Sequence, residues 1–283
     1  MCRFVFYQGP PIRLAELLTE PDHSLIHQSF DARERSEPLN GDGFGVAWYA
    51  PEASPLPARF RCISPAWSNA NLRELARVVS SDTVLAHVRA ATEGRVGEAN
   101  CHPFRRGRLA FMHNGDIGGF PALRRPLLAR LGDDAFDTIE GNTDSEHFFA
   151  LVHDALDDVL APQDPEVLIG AMVGAIETTR ELLASCAPHE FMYLNAVLTD
   201  GETAVVVRYT DDRTHRGHSL YLNQGRAFLC EDGVCRMHDP GADGGTVVVA
   251  SEPLSPDSGW TPIEPNAALL VRGGEVLRSV TLD

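Results

Sequence analysis

Lysine is absent: all 24 basic side chains among the 283 residues are arginine. A P-loop lysine and a lysine Schiff base are therefore excluded, together with the enzyme classes that depend on them. No run approaches the ~18 consecutive apolar residues that a membrane-spanning helix requires. The opening Met-Cys-Arg-Phe-Val-Phe-Tyr-Gln reaches polar side chains too early for a secretory leader, so the cytoplasm is the expected compartment. Positive charge is scarce, with 24 basic residues against 40 acidic ones and a net charge of −16. Such a balance repels phosphate backbones and anionic lipid, which argues against nucleic acid and membranes as partners. Cysteine is sparse too, six in all, and in that compartment the six read as free thiols rather than a disulfide framework. Cys230, Cys235 and His238, with His215 and His218 nearby, lack CxxC or regular ligand spacing, so zinc is not expected. Glu231-Asp232-Gly233 between the two cysteines reads as a hairpin turn.

What is present supports a folded enzyme. Apolar residues make up 43% of the chain, enough for a real core. No internal repeat, low-complexity tract or long linker interrupts it, and the Pro-rich patch 50–57 reads as a surface loop, so residues 1–283 are expected to form a single domain. Apolar β-rich runs at 4–7, 45–49, 83–88, 109–112, 191–198, 204–209, 219–222, 246–250 and 268–271 predict strands. Helical spacing places Phe148, Leu151, Val152, Ala155, Leu156 and Leu160 on one face, and Leu168, Ala171, Met172, Ala175 and Ile176 on another. Shorter helices are predicted at 12–18, 71–79 and 120–131. Strands, then helices, then strands without βαβ alternation point to an α+β fold of two antiparallel sheets face to face, covered by helices.

Cys2 is the first chemical candidate. A small second residue permits removal of Met1, which leaves a thiol and an α-amine on one residue. With ordinary pKa values near ~8.5 and ~8, the amine can take the thiol proton and return it to a leaving group. His113-Asn114-Gly115-Asp116 follows an apolar strand. It is either a plain turn or a place where the Asn114 amide and the Gly115 N–H converge on an oxyanion. His87-Val88-Arg89-Ala90-Ala91-Thr92 offers a guanidinium and a hydroxyl three residues apart. Arg89 either grips a carboxylate with both arms or forms an ordinary surface salt bridge. His102 in Asn100-Cys101-His102-Pro103 either orients the site or packs a loop. Thr143-Asp144-Ser145-Glu146 predicts a capping box, Thr143 as N-cap and Glu146 three residues on. The Asp144 carboxylate in that first turn is also free to hold an ammonium. Asn40-Gly41-Asp42-Gly43-Phe44-Gly45 precedes a strand rather than opening a helix, so it reads as backbone brought close to the site, not as a phosphate cradle.

Taken in order, Cys2, NGDGFG, HVRAAT, NCHP, HNGD and TDSE resemble the glutaminase domain of class II glutamine amidotransferases, N-terminal-nucleophile hydrolases, over residues 2–146. Ala250-Ser251-Glu252-Pro253-Leu254 with Gly259-Trp260 is similar to the stand-alone branch that includes YafJ-type proteins, the ergothioneine-pathway amidohydrolase and the γ-glutamyl-cleaving subunit of the yeast glutathione-degradation complex. The resemblance implies a four-layer αββα sandwich. It also implies Cys2 as nucleophile, Asn114 and Gly115 as oxyanion hole, Arg89 with Thr92 on the substrate α-carboxylate and Asp144 on the α-ammonium. Asn40 and Ala90 depart from the large amidotransferases, so the pocket walls are expected to differ. The implied reaction hydrolyses a γ-glutamyl amide and requires no metal or organic cofactor.

The expected partner is a small γ-glutamyl compound or glutamine, with a homo-oligomer or a synthase partner left open. With no synthetase-like extension after the sandwich, a stand-alone hydrolase is preferred to a glutaminase subunit that passes ammonia to a separate synthase. A choloylglycine- or penicillin-acylase-like hydrolase and a non-catalytic γ-glutamyl sensor are the remaining alternatives. Residues 211–245 carry no assigned role.

Overall fold

A computed structural model describes residues 2–34, 39–91, 94–231, 234–239 and 245–282. In chain order its strands are β1 (Arg3–Arg13), β2 (Phe44–Ala50), β3 (Ser54–Cys62), β4 (Ser80–Val88), β5 (Phe104–Arg106), β6 (Leu109–Ile117), β7 (Met192–Thr199), β8 (Thr203–Thr210), β9 (Tyr221–Gly225), β10 (Ala227–Glu231), β11 (Val234–His238), β12 (Thr246–Ala250), β13 (Thr261–Pro262), β14 (Ala267–Arg272) and β15 (Glu275–Thr281). The helices are α1 (Ala15–Leu18), α2 (Leu25–Gln28), α3 (Ala70–Val78), α4 (Phe120–Leu128), α5 (Asp133–Phe136), α6 (Asp144–Asp154) and α7 (Pro165–Cys186).

Strand alternation builds the layers. Phe4 and Phe6 of β1 point to one side, with Ala110 and Met112 of β6, Val197, Val206, Val247 and Val249. Val5 and Tyr7 point to the other, against Leu17, Leu25 and Leu72 of the helices α1 to α3. On β6 the residues out of phase, Leu109 and Phe111, pack with Phe148 and Met172 of α6 and α7. A period of two with both faces apolar requires a strand covered on both sides. Each such side chain contributes roughly 1.5–3 kcal/mol of burial. One sheet runs β13-β9-β12-β1-β4-β2-β3 and the other β15-β14-β8-β7-β6-β5, with antiparallel neighbours throughout. The result is the αββα sandwich expected from the resemblance, and β1 is central to its sheet.

Several expectations are corrected. The 50–57 patch is largely strand: β3 carries Pro55 and Pro57 at the sheet edge, beside a register shift between Trp48 and Ala50, where a missing N–H costs nothing. Ile12 belongs to β1, opposite Ser81, rather than to a helix. Leu160 lies beyond the end of α6 and is exposed, because its N–H is taken by the Asp158 carboxylate at 2.8 Å in a local turn that competes with helix. Of the six cysteines, Cys230 and Cys235 form a disulfide rather than remaining free thiols. They face each other across the β10–β11 hairpin with Cα atoms 4.0 Å apart, close enough for a bridge. The anticipated turn residues Asp232 and Gly233 lie outside the described residues. No described helix is long and apolar enough to cross a membrane.

Candidate active site

Cys2 stands immediately before β1, so its position is inherited from the most enclosed strand of the sheet. The partly buried Sγ sits 3.4 Å from both the N–H and the carbonyl oxygen of Ala90. Burial pushes the thiol above its ordinary range; the Ala90 N–H, the amino terminus and the Arg89 guanidinium pull it down, and Asp144 adds to the rise. A thiol held up in this way needs a base to become a nucleophile.

The next residue fixes the backbone. Arg3 is buried, and its Nη1 donates to the Cys2 carbonyl at 2.9 Å while its Nε donates to Glu252 at 2.9 Å. Glu252 also meets His23 Nε2 at 2.8 Å and receives the N–H groups of Arg33 at 2.8 Å and Glu34 at 3.3 Å. Burial alone would raise its carboxyl, but the His23 and Arg33 hydrogen bonds and the Arg3 charge bring it down to about 2. Arg3 and Glu252 carry no periodicity signal. An arginine inside the apolar run of β1 and an acid just past the apolar β12 were the only clues, and each needed the other to be meaningful.

The oxyanion candidates come from the facing sheet. Asn114 lies opposite Asn195 on β7 and is buried, with Nδ2 3.2 Å from the Ser251 hydroxyl. At Gly115 a Cβ would collide with the Tyr193 carbonyl oxygen, so no side chain fits there. The HNGD and TDSE motifs, read separately, are physically joined. His113 Nε2 meets the Tyr193 carbonyl at 3.1 Å, so it carries the proton, and Nδ1 faces the Ser145 hydroxyl at 2.9 Å. The Asp144 carboxylate receives the Ile117 N–H at 2.9 Å and the Ser145 N–H at 2.7 Å.

Thr143 caps α6 through the Glu146 N–H, as predicted. The reciprocal arm of the box reaches further back, however, with Glu146 accepting from the N–H groups of Glu140 and Gly141 at 2.9 and 2.7 Å. Because both Asp144 oxygens are occupied by backbone donors, Asp144→Asn places an amide NH₂ against an N–H. It is expected to lower thermal stability by about 1–3 kcal/mol as well as to raise KM, and unchanged melting together with unchanged KM would remove Asp144 from both roles.

Arg89 is buried at the end of β4, its Nη1 donating to the Arg95 carbonyl at 3.2 Å. The glycine loop lies against it as expected: Arg89 N donates to Gly43 O at 2.8 Å, Asp42 N to Arg89 O at 3.0 Å, and Ala91 N to the Asp42 carboxylate at 2.8 Å. Gly43 has φ +116° with Cys101 Sγ 2.6 Å from where a Cβ would be, so only glycine serves. Thr92 lies outside the described residues. His102 is buried between His87, 4.2 Å between ring centroids, and Phe104, 4.5 Å. His215 and His218 pack on Tyr193, whose hydroxyl donates to Asp212 at 2.6 Å, and Asn195 Nδ2 ties Ser219 O at 2.9 Å. Part of the previously unassigned 211–245 stretch thus forms a wall along β7. Clefts of about 550 Å³ along α7, bordered by Asp211, and about 480 Å³ beside Gln8, bordered by Gly245, are lined by no cysteine or histidine.

Burial holds His87 neutral, down to about 3, and lowers His113 and His102 as well. The unfolded chain binds a proton at His87 below pH ~6.5 and the folded chain does not, so its contribution is full above that pH and falls as pH drops toward ~3, with His113 and His102 acting in the same direction. His87 adds a slope of ~1.4 kcal/mol per pH unit. Urea titrations between pH ~7.5 and ~5 should show the decline, and His87→Asn should make it shallower; a pH-independent midpoint would contradict the buried neutral histidines.

Comparison with known proteins bears on this geometry. The sequence profile of "Glutamine amidotransferases class-II" matches residues 16–283. The probable glutamine amidotransferase DUG3 of Saccharomyces cerevisiae is 40% identical over 305 residues, covering 100% of this chain and 85% of that protein. The γ-glutamyl-hercynylcysteine sulfoxide hydrolase of Mycolicibacterium smegmatis is 28% identical over 279 residues, covering 98% of each. A solved structure, a glutamine aminotransferase class-II domain protein from Silicibacter pomeroyi, superposes with a TM-score of 0.68 at 28% identity over 99% of both chains. With the sandwich, the profile and a full-length relative in agreement, this chain belongs to the class II glutamine amidotransferases.

Proposed function

We propose that the protein is a cysteine-dependent amidohydrolase that cleaves the γ-glutamyl amide bond of a small γ-glutamyl compound, releasing glutamate and an amine. The observation that carries this reading is geometric. The Cys2 Sγ lies 3.4 Å from the backbone of Ala90, the residue after Arg89, and the Asp144 carboxylate accepts the N–H of Ile117, two residues after Gly115. A cation next in the chain to the residue that touches the nucleophile, and an anion tied to the strand of the oxyanion candidates, suit a substrate end with an α-carboxylate and an α-ammonium.

With Met1 removed, the α-amine of Cys2 takes the thiol proton and the thiolate attacks the γ-carbonyl carbon. Asn114 Nδ2 and the Gly115 N–H hold the resulting oxyanion. Arg89 with Thr92 holds the α-carboxylate, Asp144 the α-ammonium, and His102 supports the wall behind Arg89. The tetrahedral intermediate collapses as the C–N bond breaks and the α-ammonium returns its proton to the leaving amine. Water then attacks the thioester, the amine accepts the water proton, and glutamate departs with the thiol restored. Residues 1–283 act as one domain in this reading, because Cys2 and Asn114 come from opposite sheets.

A relative named as a γ-glutamyl-hercynylcysteine sulfoxide hydrolase and matched end to end supports hydrolysis as the purpose of the reaction. The relative named as a glutamine amidotransferase supports a second reading, a glutaminase subunit supplying ammonia to a separate synthase. Mass spectrometry of glutamate release from glutamine and a panel of γ-glutamyl amides, using N-terminally processed protein, separates them. Turnover of a conjugate with little on glutamine supports the hydrolase. Turnover of glutamine alone supports the ammonia supplier, and turnover of neither rejects both.

A further inference from the structure

Ser251 follows the last residue of β12 and continues its pairing with β1: its N–H donates to the Phe4 carbonyl at 3.1 Å, and its hydroxyl receives the Phe4 N–H at 3.0 Å. On its other side the same hydroxyl meets Asn114 Nδ2 at 3.2 Å, while the Ser251 carbonyl is held by the Ser219 hydroxyl at 3.0 Å. Ser251 and Asn114 are 2% and 1% exposed, so water does not compete for these groups. One hydroxyl therefore touches the strand of the nucleophile and the amide of the oxyanion donor, across the gap between the two sheets.

The donors and acceptors at this point do not balance. The hydroxyl accepts from Phe4 and from Asn114, yet the buried Asn114 Oδ1 has no partner. A hydroxyl carries one proton to give as well as lone pairs to receive, and an amide can turn over about its last bond. Turned over, Asn114 presents Oδ1 to the Ser251 O–H. The Phe4 N–H still occupies a lone pair of the hydroxyl, Oδ1 is satisfied, and both Nδ2 hydrogens are released from Ser251. A buried acceptor without a partner costs about 1–3 kcal/mol; in the turned-over arrangement that deficit passes from Oδ1 to the two Nδ2 hydrogens, which an oxyanion would then satisfy.

We propose that Ser251 is a positioning residue that orients the Asn114 amide, donating to Oδ1 so that Nδ2 is left to hold the oxyanion opposite Cys2. The proposal rests on the amidohydrolase reading above. It explains why a serine follows the last residue of β12: Phe4 N–H biases the hydroxyl toward donation to Asn114, and the short side chain ties the donor to the nucleophile's own strand.

The test uses the full, N-terminally processed chain. Ser251→Ala should lower kcat about ten- to a hundredfold, with KM within about twofold, because an ill-oriented donor harms only the transition state. Affinity for the γ-aldehyde analogue of glutamate, which forms a tetrahedral adduct on Cys2, should fall by a similar factor. Alkylation of Cys2 by iodoacetamide, which needs no oxyanion hole, should keep its rate. Ser251→Thr, which retains the hydroxyl, should recover most of kcat. On an Asn114→Ala background, Ser251→Ala should add nothing further.

Wild-type kcat in Ser251→Ala overturns the proposal, as does a loss of Cys2 alkylation parallel to kcat, or full additivity with Asn114→Ala. Should the serine variant not fold, the Ser251→Thr protein decides: retained kcat and aldehyde affinity support the proposal, and loss of both in a folded protein overturns it. Absence of turnover in the wild type counts against the amidohydrolase reading itself, so the two failures are separable.

Discussion

Cys2→Ala is expected to reduce glutamate release by about four orders of magnitude or more while leaving the fold intact. The chemical step has no substitute nucleophile, since the proposed cycle begins and ends on the Cys2 sulfur. The structural cost is small, because among the described residues the Sγ contacts are long ones of 3.4 Å with the Ala90 backbone, and the neighbouring carbonyl remains held by Arg3. A stability change within about 1 kcal/mol is therefore expected. Alanine is small enough to allow removal of Met1, and intact-mass measurement verifies that the variant is processed. Retained turnover in a processed, folded Cys2→Ala protein would remove the thiol from the mechanism, whatever the site residues around it do.

Glu252→Gln is expected to lower stability by about 3–5 kcal/mol, because it removes the ionised carboxylate that pairs with the buried Arg3 guanidinium. The glutamate is 1% exposed and so is its partner, so water cannot replace the lost carboxylate. His23 and the N–H groups of Arg33 and Glu34 lose an ionised acceptor in the same step. A carboxyl held at about 2 rather than in the ordinary range stabilises the fold at any pH above ~4.5, and that contribution disappears as pH falls through ~2. The wild type should thus lose stability on acidification where Glu252→Gln has none of this contribution left to lose. Chemical denaturation at pH ~7 and ~3 measures both quantities. Equal stabilities of the two proteins at neutral pH would show that the buried pair is energetically idle. Because Arg3 also holds the Cys2 carbonyl, kcat should fall in any Glu252→Gln protein that remains folded.

The two sheets were legible wherever a strand is apolar on a period the eye can follow. Phe4 to Tyr7 and Leu109 to Met112 are apolar at every position, and both prove to be strands covered on both faces. β15 carries no apolar signal because it is an edge strand with mostly exposed side chains, and the prolines of β3 imitate a loop. The end of α6 was misjudged at Leu160, where the Asp158 carboxylate takes an N–H that helical periodicity had assigned to the backbone ladder. The cysteine pair is invisible in composition, which speaks for the whole chain, whereas a bridge depends on two residues standing opposite each other in one hairpin.

By itself the sequence determined the composition of both faces of each central strand, the Thr143 cap and the order of motifs that identifies the family; the Asn114-Gly115 turn it suggested is instead part of β6, paired with Asn195 and Leu194 of β7. The features it determined are local: a period, a cap or a short string is complete within a few residues. Tertiary structure alone decided that Arg3 meets Glu252, that Ser251 stands between Phe4 and Asn114, and that His113 and Asp144 join two motifs into one wall. The physical reason is that a buried polar side chain is tolerable only with its partner. Partners hundreds of residues apart meet only once strand register and sheet stacking have set their distance.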